Sequence, residues 1–182
     1  MALGFAQKAV VVANERVLLI RKSIEDHHNP LKWEFPGGKI EDHEPLDDGL
    51  RREVHEEVGI EVVPGRPLAL WSWNLGFGQG AARVIAVSRQ CEALTTEVSL
   101  SHNLRTDHID SFAWIPLDQV CTIDLMPTAR AAILASIRRL AEAGSDHWQW
   151  SLLCSVGAGR TEKLDLCPNL VGSRVLDLFK DL

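Results

Sequence analysis

One segment constrains the fold of this chain more than any other: an amphipathic helix that follows a glycine turn. Apolar residues recur at intervals of four between residues 45 and 58, at Leu46, Leu50, Val54 and Val58. This spacing predicts a helix over 45–58 with one apolar face. Gly59 fits the left-handed position that ends a helix, and Pro36, Gly37 and Gly38 break the chain upstream. The opposite side of the helix carries carboxylates.

The carboxylates form a candidate metal site. Glu53, Glu56 and Glu57 stand at i, i+3 and i+4, so their Cβ atoms leave the same face about 5–6 Å apart. Each like-charged pair costs a few tenths of a kcal/mol on an isolated helix, and a bound divalent ion would turn that repulsion into ligation. Oxygen-only donors favour Mg²⁺, with Mn²⁺ as an alternative, over zinc or copper.

The rest of the chain predicts strands interleaved with a second helix. Strands are expected at 5–13, 16–21, 33–35, 67–75, 81–92 and 108–115, with a turn at Asn14 and Glu15, a glycine-rich loop at 76–80 and a helix at 128–143. This order predicts one domain of mixed α/β (α+β) character over 1–144. Residues 145–182 are expected to form a short C-terminal extension that packs on the domain or on a dimer partner. Gly49 lies inside the first predicted helix at a cost of about 0.5–1 kcal/mol relative to alanine, which only a close packing contact would explain.

Composition narrows the class of partner. The chain has 182 residues, of which 46% are hydrophobic, enough for a real core. Its 19 basic and 25 acidic residues give a net charge of −6, which argues against a broad nucleic-acid or anionic-membrane surface. The first residues lack the features of a secretory signal, and no apolar run approaches the ~20 residues of a membrane span. We therefore expect a cytoplasmic protein with no nucleic-acid or membrane partner.

The turn and the helix together resemble the Nudix box: Gly, five residues, Glu, seven residues, then Arg-Glu-aliphatic-any-Glu-Glu-any-Gly-aliphatic. All nine specified positions are filled, by Gly38, Glu44, Arg52, Glu53, Val54, Glu56, Glu57, Gly59 and Ile60. The flanking residues 33–41 resemble the MutT branch of that family, and the resemblance covers roughly residues 6–143. It implies a Nudix-type α/β/α sandwich around a mixed, curved sheet. It also implies a hydrolase of a nucleoside diphosphate linked to another moiety, with Mg²⁺ as the usual cofactor.

The resemblance also suggests roles for individual residues. The three helix glutamates would hold metal ions that clamp the phosphate oxygens and lower the pKa of a bound water. A carbonyl of Gly37 or Gly38 would complete the metal shell, Arg52 would hold the glutamates, and Glu44 would support the loop or an outer metal. Asp110 lies where MutT-like sequences carry a Glu and is the first candidate for a base or an extra ligand. A surface role for Asp110 stays open, and Asp107 and Glu97 are the other candidates.

The residues that choose the substrate are less defined. Phe35 can stack on a base or belong to the core, and Lys39 is the second candidate for substrate binding. MutT-like enzymes that read an oxidised guanine usually carry Asn or Asp at the start of the last helix, where this chain has Ala129, whose methyl group forms no purine hydrogen bond. Trp71 and Trp73 alternate on a strand and either line a pocket or belong to the core.

Three functions follow from these observations. The leading hypothesis is a Mg²⁺-dependent pyrophosphohydrolase of a nucleoside triphosphate or related nucleoside diphosphate derivative, in nucleotide-pool cleaning. The second is hydrolysis of a nucleotide sugar, a dinucleotide or a capped RNA end, the last disfavoured by the acidic charge. A non-catalytic ligand sensor is the third, and the intact glutamates disfavour it. Trp148 and Trp150 in the extension could seal a homodimer or fold over the active site.

Overall fold

A computed structural model describes residues 2–75, 82–103 and 107–143 of the chain. The predicted loop at 76–80 and the C-terminal extension at 145–182, with Trp148 and Trp150, lie outside the described residues. Their predicted roles therefore stay predictions.

The described residues form strands, two α-helices and one short 3-10 helix. In chain order they are β1 (Ala2–Ala13), β2 (Arg16–Lys22), β3 (Trp33–Glu34), α1 (Leu46–Val58), β4 (Val62–Leu75), β5 (Ala82–Ala93), β6 (Ile109–Pro116), the 3-10 helix (Leu117–Thr122) and α2 (Arg130–Ala143). The pattern did not predict the 3-10 helix. Strand β4 begins at Val62, earlier than predicted, because register shifts at Pro64–Pro67 and Pro67–Ala69 accommodate its prolines. No helix in this part of the chain is long and apolar enough to cross a membrane.

The strands form one mixed sheet in the order β3-β2-β1-β5-β4, and β6 pairs with β2. Strands β1 and β5 run parallel, whereas β1–β2, β2–β6 and β4–β5 are antiparallel. Asn14 and Glu15 have φ values of 48° and 60°. Positive φ at both central residues is typical of the tight turn that joins two antiparallel strands, so the predicted turn is present.

The two α-helices cover opposite faces of the sheet, which gives the α/β/α layering. On one face, Leu50, Val54 and Val58 of α1 pack with Leu18 and Ile20 of β2. On the other face, residues of α2 pack with β1 and β2; this cluster contains Ile133, Ile137, Val10, Leu19 and Phe35.

One residue of the predicted apolar stripe does not join the core. Leu46 is 52% exposed, because α1 begins at this residue and its side chain lies at the open end of the helix. Its backbone carbonyl accepts a hydrogen bond from the Gln7 side-chain amide. Only the later three residues of the stripe attach α1 to the sheet.

The glycine turn is held against the middle of β1. The backbone N–H of Ala9 donates to the Pro36 carbonyl at 2.8 Å, and that of Gln7 donates to the Gly38 carbonyl at 2.9 Å. The N–H of Ile40 in turn donates to the Phe5 carbonyl at 3.0 Å. These bonds make residues 36–40 a fixed part of the sheet rather than a free loop, directly before α1.

Candidate active site

Helix α1 presents its glutamates to the glycine turn because its apolar stripe fixes its rotation on the sheet. The helix ends as predicted: Gly59 is left-handed with φ 69°, and its N–H donates to the His55 carbonyl at 2.9 Å. Glu57 points inward and is only 5% exposed, whereas Glu53 and Glu56 are partly exposed. The three carboxylates therefore range from the protein interior to the solvent boundary.

The two glycines of the turn make room for these side chains. The Gly37 N–H donates to Glu57 Oε2 at 2.6 Å, and Gly37 has φ +118°, where a side chain is strained. A Cβ atom at Gly38 would overlap the carboxylate of Glu53. Gly37 therefore needs glycine because of its positive φ and because a Cβ atom would overlap the Gln7 carbonyl of β1. Gly38 needs glycine because the Glu53 carboxylate approaches the turn directly.

Arg52 links the carboxylates that are partly exposed. Its Nε and Nη2 donate to the two oxygens of Glu44 at 2.8 and 3.0 Å. Its Nη1 donates to Glu53 at 3.0 Å and to Glu56 at 3.1 Å. One planar guanidinium therefore sets the positions of three carboxylates, a geometry that lysine cannot reproduce.

Gly49 has the close contact that its position in a helix required. An ideal Cβ at Gly49 would lie 2.6 Å from Glu44 Oε2 and 2.6 Å from Ile40 Cδ1. The absence of a side chain lets Glu44 fold over α1 and reach Arg52.

A buried cation lies next to the same turn. Lys8 of β1 is 8% exposed, its ammonium lies 2.9 Å from Glu34 Oε2, and it donates a hydrogen bond to the Gly37 carbonyl. Glu34 also lies 3.5 Å from the Lys22 ammonium. Sequence analysis missed both Lys8 and Glu34; a lysine within an otherwise apolar strand was the available signal.

Burial and charge shift the pKa values of this cluster in opposite directions. Burial raises the pKa of Glu57 to about 7, against the attraction of Lys8, and burial also raises the pKa of Glu53. Hydrogen bonds from Arg52 lower the pKa of Glu44 to about 2. Burial by itself lowers the pKa of Lys8, but the charges of Glu34, Glu57 and Glu53 outweigh this effect and raise the pKa above its ordinary value. Lys8 is therefore a permanent cation at neutral pH.

Four further candidates from the sequence lie outside the cluster of carboxylates and have distinct surroundings. Phe35 is 1% exposed in the core under α2, so it offers no face to a base. Asp110 accepts from Arg21 Nε at 3.0 Å and Nη2 at 3.3 Å, and from Ser111, which ties it to β2 rather than to the helix glutamates. Lys39 is exposed beside the turn. Ala129 is buried in the core just before α2.

The donor atoms suit a hard divalent ion, although the carboxylates point to other hydrogen-bond partners. Within the described ranges, no group of three His, Cys, Asp or Glu side chains is arranged to hold a metal, because Arg52 and the Gly37 N–H engage the glutamate oxygens. The oxygens of Glu53, Glu56 and Glu57 and the carbonyls of the turn are nevertheless all hard donors. Each carbonyl of the turn already accepts one hydrogen bond, Gly38 from the Gln7 N–H and Gly37 from Lys8. Gly37 is the better backbone candidate because its peptide N–H contacts Glu57 at 2.6 Å.

Fold and site together define a class: an α/β/α domain that sets an acidic helix against a glycine turn. The NUDIX domain pattern matches residues 6–137, most of the chain. The chain therefore belongs to the NUDIX domain family, which confirms the prediction from the box. Members of this family generally use divalent metal ions.

Several known proteins are similar to this chain. The 8-oxo-dGTP diphosphatase of Proteus vulgaris is 37% identical over 61 residues, 34% of this chain and 54% of that protein. The m7GpppN-mRNA hydrolase NUDT17 of Bos taurus is 38% identical over 118 residues, 58% of this chain and 38% of that protein. The matches thus span about half or less of these relatives. The crystal structure of a MutT protein from Methanosarcina mazei Go1 superposes with a TM-score of 0.61 at 26% identity, covering 79% of this chain and 96% of that one.

Proposed function

We propose that this protein is a Mg²⁺-dependent pyrophosphohydrolase, with Mn²⁺ as an alternative ion, that cleaves a phosphoanhydride bond of a nucleoside triphosphate or related nucleoside diphosphate derivative. The observation that carries the proposal is the approach of Glu53 and Glu57 to the Gly37–Gly38 turn, with Arg52 bound to Glu44, Glu53 and Glu56. The similarity to proteins named 8-oxo-dGTP diphosphatase supports this class of substrate.

The reaction requires little covalent help from the protein. Cleavage of a phosphoanhydride needs the phosphate charges neutralised and a water held in line. Metal ions held by Glu53, Glu56, Glu57 and the Gly37 carbonyl would supply that neutralisation and lower the pKa of the water. Arg52 holds the partly exposed carboxylates in position. Lys39, which is exposed and follows the turn in sequence, is the candidate for binding phosphate oxygens.

Recognition of the base has to come from elsewhere than the start of α2. The buried methyl group of Ala129 offers no hydrogen bond, which supports a base other than an oxidised guanine. The Trp71 indole N–H is a candidate donor, because it is buried and has no hydrogen-bond partner within the described part of the chain. Trp73 lies beside it with the two rings 6.4 Å apart and near-parallel. Both rings pack against the core and are partly buried, so base binding by Trp71 is the part of this proposal that a Trp71→Phe variant tests.

A capped RNA end is a second candidate substrate, because the longer of the two sequence matches described above, 118 residues, is to a protein named m7GpppN-mRNA hydrolase. The net charge of −6 argues against a long RNA partner. Nucleotide sugars and dinucleotides stay in the same panel of substrates. A non-catalytic sensor is disfavoured because the glutamates of the box are present and face the turn. The homodimer stays a prediction, which light scattering of the full chain would test.

The test is release of phosphate and pyrophosphate from nucleotides, oxidised nucleotides, nucleotide sugars and a cap analogue, with Mg²⁺, Mn²⁺ or EDTA. We expect metal-dependent cleavage of one compound far above the others. Glu57→Gln should lower its kcat by at least about 100-fold. Glu61→Gln is the matched control, because Glu61 is exposed and its carboxylate pairs with His55 at 3.1 Å, away from the turn. Silence across the panel, or a fully active Glu57→Gln variant, would overturn the proposal.

A further inference from the structure

Lys8 is a buried ammonium for which the proposed chemistry has so far given no role. Lysine is almost never fully buried unless it is paired. Here the pairing is with Glu34 at 2.9 Å and with the carbonyl of Gly37. The same carbonyl is the backbone group best placed to bind a metal ion. Lys8 therefore contacts an atom that the proposed function needs.

Glu34 alone does not account for Lys8. The Glu34 carboxylate has a second cation, Lys22, at 3.5 Å, and the Lys22 ammonium also donates to the Asp107 carbonyl at 2.8 Å. The other acidic groups that act on Lys8 are Glu57 and Glu53. Lys8 thus pairs with a carboxylate that has another partner, and the charges of two carboxylates of the candidate metal site also act on it.

We propose that Lys8 is the counter-ion of the metal site before a metal ion binds. It donates to the Gly37 carbonyl and offsets the negative charges of Glu57 and Glu53, and its positive charge opposes the binding of a divalent ion. The inference rests on the proposed metal-dependent function. The Gly37 peptide is held on both sides in the absence of metal, by Glu57 at its N–H and by Lys8 at its carbonyl. A divalent ion at the same carbonyl would meet a fixed positive charge in a poorly solvated place.

The size of the effect follows from charge alone. A +1 charge within about 6 Å of a +2 charge changes a binding constant about tenfold even at the dielectric constant of water, and more in a protein interior. Removal of the Lys8 charge is therefore expected to tighten metal binding. A lysine whose charge is neutralised by Glu34 and does not act on the metal site predicts no such gain.

The test is the dissociation constant of Mg²⁺ and of Mn²⁺ for the full chain without nucleotide, measured by calorimetry and by Mn²⁺ electron paramagnetic resonance. Lys8→Met removes the charge and the hydrogen bond, whereas Lys8→Gln removes the charge and keeps a donor for Gly37. Both variants should bind metal at least about tenfold more tightly than the wild type. Lys32→Met is the control, because Lys32 pairs with the exposed Asp124, and its Kd should stay within about twofold.

Thermal unfolding separates this role from plain packing. In EDTA the Lys8 variants should melt below the wild type, because Glu34 and Glu57 lose a buried partner. Saturating Mg²⁺ should raise their Tm by more than it raises the wild-type Tm. An unchanged or weaker metal affinity, with the same loss of Tm with and without metal, would overturn the inference while leaving the proposed function intact. Absence of metal binding to the wild type would overturn both.

A measurement on the wild type covers the case in which the variants do not fold. The side-chain nitrogen resonance of Lys8, assigned through its own carbons, should shift on Mg²⁺ titration with the midpoint of metal binding. A resonance that does not move while metal binds would overturn the inference.

Discussion

Gly49 gives the sharpest test of how the helix supports the site. In an exposed helix position, replacing glycine by alanine stabilises a protein by about 1 kcal/mol. Gly49 is buried, however, and a Cβ there would lie 2.6 Å from Glu44 Oε2 and from Ile40 Cδ1. Atoms of real side chains do not approach so closely, so Gly49→Ala must displace one or both neighbours.

The expected sign is a net loss of stability. The two clashing atoms are ends of side chains that can move, but moving Glu44 breaks its hydrogen bonds to Arg52. A hydrogen bond to a charged group contributes about 1.5–3 kcal/mol, which exceeds the gain in helix propensity of about 1 kcal/mol. We therefore expect the free energy of unfolding of Gly49→Ala to fall by about 1–2 kcal/mol. Displacement of Glu44 also releases Arg52, so kcat/KM should fall by roughly tenfold, an effect of about 1.4 kcal/mol on the transition state.

Urea unfolding at constant pH measures the first effect and steady-state kinetics the second. Ile40→Val is the matched partner because it removes the Cδ1 atom that the new Cβ would meet. In the Ile40→Val background, Gly49→Ala should cost at least about 0.5 kcal/mol less than in the wild type. A Gly49→Ala variant that is more stable by about 1 kcal/mol and fully active would refute the argument from close packing.

Three further predictions concern the pH dependence of stability, the recognition of the nucleotide base and the identity of the catalytic general base. The pKa of Glu57 is raised from 4.5 to about 7, so between these pH values the folded chain holds a proton that the unfolded chain releases. In EDTA, the free energy of unfolding should therefore fall by up to roughly 3 kcal/mol as the pH rises from about 4.5 to 7. Glu57→Gln should flatten that slope in urea unfolding, and stability that rises with pH in this window would contradict the assignment. Trp71→Phe removes a buried N–H without a described partner. The free energy of unfolding should stay constant or rise by about 1 kcal/mol, while KM rises about fivefold. A clear loss of stability would show that the N–H has a structural partner. Asp110→Asn should keep kcat within about threefold, because Arg21 binds both Asp110 oxygens; a 100-fold loss would instead identify Asp110 as the base.

Local pattern was enough to predict the elements that hold the site. The spacing of Leu50, Val54 and Val58 predicted both the helix and the face that packs on the sheet, and Gly59 marked its end. The order of the strands in the sheet could not be predicted from local pattern, because the parallel pairing of β1 with β5 joins residues about 80 positions apart. Backbone pairing of this kind depends on the whole fold rather than on a window of sequence.

The alternatives left open at the site depend on residues in a neighbouring layer or strand. Phe35 stands at the end of a short strand, and only the placement of α2 over it decides that it is core. Glu34 is one residue away in the same strand, yet it is also buried, because two lysines from neighbouring strands neutralise it. Asp110 matched a family position by sequence, but the pairing of β6 with β2 places Arg21 next to it. In each case the deciding partner is distant in sequence.

Other residues of the chain offset much of the repulsion among the glutamates of α1, which was the first signal in the sequence. Arg52 donates hydrogen bonds to Glu44, Glu53 and Glu56, while Glu57 accepts the Gly37 N–H and is attracted by Lys8. The acidic helix therefore packs on the sheet with a hydrogen-bond partner for each of these carboxylates before any metal binds. Folding should then be independent of metal, unlike that of a domain whose ligands cannot come together without one. Chelation is expected to abolish turnover while the cooperative unfolding transition persists, and a chain that loses its helical circular dichroism in EDTA would show that Arg52 and Lys8 do not suffice.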